Sequence, residues 1–168
     1  MKNNISIAHI GLQIMASEIV PHASVVSHAP GDGAAKIISQ IASSMEMETC
    51  EIDMMEQEYH PGAISTLMED QIDPSIAKGR PAIFILTRCH EAPTGLIAAI
   101  ARNISMKTSD HAVKMVAITT SAGEKRVAKA LAMGLDVAEG RVESYRTQDE
   151  NLRMAEKFLK ANDQIMPD

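Results

Sequence analysis

Residues 23–45 decide the fold: Ala23-Ser24-Val25-Val26-Ser27, then His28-Ala29-Pro30-Gly31-Asp32-Gly33, then Ala34 through Met45. The first five residues are a short apolar strand and the next six a glycine-rich turn. The last stretch places Ile37, Ile38, Ile41, Ala42 and Met45 on one face at the 3.6-residue period, which predicts a helix. A strand that breaks at Pro and Gly and opens straight into a helix is the geometry in which α/β folds cradle phosphate. Glycines let the backbone approach, and the helix N-terminus offers N–H groups and the positive end of its dipole. The same residues also suit a plain strand-to-helix connection, with Asp32 as N-cap whether or not anything binds.

Downstream, strands and helices alternate. Residues 48–55 read as a second strand. A helix follows Pro61-Gly62 with Ala63, Ile64, Leu67 and Met68 on its apolar face, and Asp73-Pro74 limits it. Pro81-Ala82-Ile83-Phe84-Ile85-Leu86, the most hydrophobic stretch, fits a parallel strand buried on both faces. It ends abruptly in the polar loop Thr87-Arg88-Cys89-His90-Glu91-Ala92. Leu96, Ile97, Ile100, Ala101 and Ile104 then mark a helix, and Val113 to Ile118 a further strand ending in Thr119-Thr120-Ser121-Ala122-Gly123. Ser121 with Glu124 is a capping-box signature for a helix that Gly134 closes. A last short strand is expected around Val142, then a helix on Leu152, Ala155, Phe158 and Leu159.

Residues 1–22 stand apart from this α/β domain of residues 23–168. Ile5, Ile7, Ile10, Leu12 and Ile14 alternate with polar or small residues, with a one-residue shift, and predict a bulged strand or extended arm ending at Pro21. Strands joined through helices by short loops imply a doubly wound parallel sheet. Five of them suit the order 2-1-3-4-5, where ligands bind at the carboxyl ends near the first and third strands. Three polar loops are expected to converge there: His28–Gly33, Thr87–Ala92 and Thr119–Gly123.

Composition narrows the function. A chain of 168 residues holds one ordinary domain, and 45% apolar content is globular. The net charge of −6, with no basic cluster, argues against a nucleic-acid partner. No apolar run nears the ~20 residues of a membrane span, and the N-terminus lacks a signal-peptide core. Two cysteines, Cys50 and Cys89, are too few for a disulfide scaffold and point to a reducing cytoplasm. The six histidines show no metal-ligand spacing, so no metal is expected. Aromatics are limited to Tyr59, Phe84, Tyr145 and Phe158, while twelve methionines help fill the core.

Two readings of Cys89-His90-Glu91 stay open. Cys89 is either a nucleophile or redox thiol, with Arg88 lowering its pKa and His90 as base, or a buried cysteine ahead of a solvated loop. A Cys-x5-Arg phosphate cradle is excluded, because Gly95 stands where the Arg belongs. Lys125-Arg126 reads as a solvated helix face that is also within reach of a ligand phosphate.

Ser27 to Ala34, Met115 to Gly123 and Lys129 to Leu135 together resemble the flavodoxin-like superfamily, and within it the NADPH-dependent FMN reductases. The likeness spans Ala23 to about Lys160. It implies FMN with its phosphate in the first loop and its ring between the second and third, and NAD(P)H as co-substrate. Residues implied at the cofactor are Ser27, His28, Gly31, Asp32 and Gly33, then Thr87, Arg88, Cys89 and His90, then Thr119, Thr120, Ser121 and Gly123. A cytoplasmic homodimer is implied as well. The alternatives are a non-catalytic flavodoxin-like interaction subunit and a Cys89-dependent enzyme. Asp32 and Ala34 occupy positions where the family places hydroxyls, and the second loop has no Pro-x-Tyr sequence.

Overall fold

A computed structural model describes residues 4–5, 7–18, 22–27, 33–107 and 113–147. The strands are β1 (Asn4–Ile5), β2 (His22–Ser27), β3 (Glu48–Asp53), β4 (Ala82–Thr87), β5 (Val113–Thr119) and β6 (Glu143–Thr147). The helices are α1 (Ile7–Ala16), α2 (Ala34–Ser44), α3 (Pro61–Leu67), α4 (Asp73–Ala77), α5 (Thr94–Lys107) and α6 (Glu124–Leu135). All six strands are parallel and hydrogen-bonded in the order β1-β6-β2-β5-β4-β3. Every residue of β2 and β5 is buried, as central parallel strands covered on both faces require.

The protein is therefore α/β with a parallel sheet, but the strand order 2-1-3-4-5 is not the one adopted. Counted from His22, the order is 5-1-4-3-2. From β2 the chain crosses to the far edge, returns one strand at a time through β3, β4 and β5, and then passes over β2 to β6. Right-handed crossovers put helices on opposite faces when the direction of travel reverses. Accordingly α1 and α2 pack over Val26, Ile83, Ile85, Val116 and Ile118. Helices α5 and α6 pack over Ala23, Val25, Phe84, Leu86, Met115 and Ala117 on the other face. The winding thus reverses between β2 and β5, the first and fourth strands, and not between the first and third.

Several local expectations change. Residues 7–16 form a helix and not a bulged strand. Ile7, Ile10, Gly11, Ile14 and Met15 are its buried positions, a helical spacing that the loose alternation of isoleucines concealed. The extra N-terminal strand reduces to Asn4–Ile5 on the β6 edge. Asp73-Pro74 does not end its helix: a π turn over Met68–Ile72 leads into α4, where Pro74 sits at the start and needs no N–H partner. Gly134 lies inside α6, and Asp136 in the left-handed region closes that helix instead. The N-cap of α6 is Gly123, two residues after Ser121, which opens a 3-10 turn ahead of the helix. The helix expected after Thr147 lies outside the described residues.

Candidate functional site

Gly33, the described residue of the first loop, meets the second and third loops. Above the carboxyl ends of β5, β4 and β3, on the α2 face, lies a cleft of about 470 Å³. Gly33, Ala34 and Lys36 form one wall, and Glu51, Thr87, Arg88, His90, Ile118 and Thr120 are on the others. The walls are chiefly apolar and include no aromatic side chain among the described residues. Gly33 has φ +73°, a conformation natural to glycine, and no atom of the other described residues lies within 4 Å of where its Cβ would be. That turn aims the start of α2 at the cleft, and only two alanines precede Lys36 there. His28, Gly31 and Asp32 lie outside the described residues.

Alternation along the strands separates the remaining candidates. Thr87 lies on the α2 face, half-buried, and its hydroxyl is 3.5 Å from the Ile52 carbonyl oxygen. Ser27 and Thr119 belong to the opposite face, in register with each other and fully buried. Ser27 donates to the Tyr145 carbonyl at 3.3 Å, so its hydroxyl serves the sheet and does not face the cleft. Thr119 Oγ1 is buried without a hydrogen-bond partner among the described residues. It lies against Gly123, where any Cβ would also meet His90 Cβ at 2.9 Å. Gly123 is thus the point at which the second and third loops touch. Ser121 is half-buried in the turn before it.

The second loop is held from both ends. Arg88 takes a left-handed backbone (φ 55°, ψ 38°), an uncommon conformation for a bulky residue. Its Nε and Nη2 donate to the two carboxylate oxygens of Asp53 at 2.9 and 2.5 Å. These bonds, with the Met55 N–H as a further donor, hold the Asp53 carboxyl below its usual range. From α6, Arg126 donates to the carbonyls of Ala92 (2.8 Å), His90 (2.7 Å) and Cys89 (3.3 Å), and to Thr94 Oγ1 (3.2 Å). Arg126 is thus a clamp on the loop, half-buried with both terminal nitrogens engaged, where a solvated face was expected. The sequence carried no sign of this, since a helix-face Arg looks the same whether or not a loop lies beneath it. Lys36 and Glu51 were missed for a related reason: each is an ordinary exposed charge until the fold brings it to the cleft.

Cys89 is wholly inaccessible, with its Sγ 3.2 Å from the Leu86 carbonyl oxygen. Burial pushes its thiol up to about 12. That is the opposite of what a nucleophile or redox thiol needs. We expect native protein at pH 8 to leave Cys89 unmodified by a thiol-reactive disulfide, and denaturant to release the reaction. Rapid native-state labelling mapped to Cys89 by mass spectrometry would contradict this. His90 is half-buried, with Nδ1 lacking a partner among the described residues and Nε2 3.9 Å from Glu91 Oε2. No group of three His, Cys, Asp or Glu side chains is placed to hold a metal ion among the described residues. Nor is any described helix long and apolar enough to cross a membrane.

No family model and no curated protein matches this chain. The functional reading therefore stands on the site.

Proposed function

We propose that this chain binds a phosphate-bearing mononucleotide in the cleft, with the phosphate at the start of α2. The observation that carries the reading is a cleft shared by Gly33, the start of α2 and the loops after β4 and β5, beside the point where the winding reverses, the place where open α/β sheets take ligands. Among the described residues the Gly33 turn leaves room for an anion, the α2 dipole favours one, and Lys36 adds a positive charge. FMN is the ligand implied by the flavodoxin-like resemblance, NAD(P)H its reductant, and the protein then a cytoplasmic, homodimeric electron-transfer flavoprotein. The residues suit the two ends of FMN unequally. The phosphate has a seat, whereas the isoalloxazine meets aliphatic Ile118 and Ala35 and no described aromatic face. A flavin supplies its own redox chemistry when bound, so the protein's part is to bind and orient.

A second reading, a non-catalytic interaction subunit, is favoured by the state of the second loop. Arg88 is engaged by Asp53, Arg126 by the loop carbonyls, and Cys89 is buried.

Titration with FMN, riboflavin and AMP, followed by calorimetry, tests the proposal. We expect FMN to bind at least tenfold more tightly than riboflavin, which lacks the phosphate. Lys36→Glu should weaken FMN about tenfold, the effect of roughly 1.4 kcal/mol. Equal affinity for FMN and riboflavin removes the phosphate from α2. AMP binding more tightly than FMN keeps the phosphate seat and removes the flavin, and no binding of any of the three leaves the interaction subunit.

A further inference from the structure

The end of the sheet away from the cleft holds a buried polar cluster that ligand binding does not use. His22 opens β2 and is 1% exposed, and Lys114 lies beside it in register on β5, 7% exposed. Both reach the residue that follows α1. His22 Nδ1 is 3.1 Å from Ser17 Oγ, and Lys114 Nζ donates to the Ser17 carbonyl at 2.6 Å. An ammonium at a helix C-terminus complements the dipole, so Lys114 anchors α1 by charge as well as by hydrogen bond. His22 Nε2 is buried with no hydrogen-bond partner among the described residues.

A protonated His22 is doubly disfavoured in this place. Among the described residues its Nε2–H would lack an acceptor, and a second cation would face Lys114 in a desolvated pocket. From β6, Glu143 favours the charged imidazole, but its Oε2 already accepts the Tyr145 hydroxyl at 2.5 Å. On the α1 side, His9 and Glu18 are exposed. The charged residue of α2, Lys36, is at the far end of that helix in the cleft.

We infer that α1 is a proton-sensitive strap: its anchor at Ser17, His22 and Lys114 holds while His22 is neutral, and acid frees α1 from the sheet before the rest unfolds. Lifting α1 returns both imidazole and ammonium to water, and the imidazole takes up one proton. The strap separates first because its own ties are short. Four buried side chains and the two-residue β1 hold it, against six- and seven-residue ladders in β2 and β5.

The sign follows from linkage. Burial first, then Lys114, lower His22 from 6.5 to about 4. The docked form therefore binds fewer protons than the released form between those values, and α1 docking weakens as pH falls through that window. Hydrogen exchange on the full chain, corrected for intrinsic rates, is the test. Between pH 7.5 and 5.5 the opening of residues 7–16 should rise about tenfold, with exchange in β5 and α5 unchanged. His22→Gln should flatten this dependence. Should that variant fail to fold, the ring of His22 in the native protein is followed by NMR, where a midpoint below pH 5 supports the strap. A midpoint near 6.5 overturns it, as does α1 exchange that is independent of pH or that rises together with α5.

Discussion

Replacing Arg126 with Met should cost about 3 kcal/mol of stability and slacken the second loop. The guanidinium is the donor to four acceptors within residues 89–94, at 2.7 to 3.3 Å. Hydrogen bonds from a charged donor contribute more than neutral ones, and carbonyls left without a donor carry a desolvation penalty. Water at this half-buried position offsets part of the loss, so the effect falls short of four separate bonds. Arg126→Lys should recover only part of it, because an ammonium cannot span four acceptors as a planar fork does. The same variant should weaken ligand binding at the cleft, since His90 and Arg88 lie in the loop it releases. Chemical denaturation of the two variants measures the first effect and the FMN titration the second. A loss below about 1 kcal/mol would show that the loop holds without its clamp.

Gly134→Val should destabilise by about 3 kcal/mol or more, although glycine is a poor helix former. A Cβ at this position meets the Ala98 carbonyl oxygen and lies 2.9 Å from Ala101 Cβ, both on α5. A backbone oxygen in a packed helix cannot step aside, so α5 and α6 must separate. Restored helix propensity offsets less than about 1 kcal/mol of this. Gly11→Ala supplies the contrast. Its Cβ meets Ile41 Cδ1 at 2.7 Å, the free end of a flexible side chain. Rotation there costs on the order of 1 kcal/mol, similar to the propensity gained, so we expect little net change. Thermal unfolding of both variants distinguishes an immovable neighbour from a movable one. Equal melting temperatures for Gly134→Val and the parent would mean that α6 does not approach α5 this closely.

Much of the architecture is legible in the order of residues. Strands β2, β3, β4 and β5 lie within a residue or two of the runs that announce them, whereas β6 starts after Val142, around which the last strand was expected. Amphipathic spacing also marks α2, α5 and α6. Residues 7–16 are the exception, because isoleucines at helical spacing alternate well enough to imitate a strand. At the cleft, Gly33 was legible from its place between strand and helix, and the second loop from its abrupt polarity. Which side of the sheet each loop residue faces was not: Ser27 and Thr119 look like cleft hydroxyls but lie on the opposite face from Thr87 and Ile118. Cys89 could be read as a nucleophile or as a core residue until its burial was known.

Sequence alone determined that the chain forms parallel strands joined by helices, because those choices depend on local periodicity and on breakers at Pro and Gly. Only the tertiary structure decided the order of those strands. Strands β2, β4 and β5 are buried along all or nearly all of their length, and β3, with Glu48 and Glu51, is an edge strand in either arrangement. Apolar pattern therefore separates edge from centre but cannot rank the central three. That ranking is set by how helices pack on the two faces, and it also decides which side chains share the cleft and where Arg126 reaches.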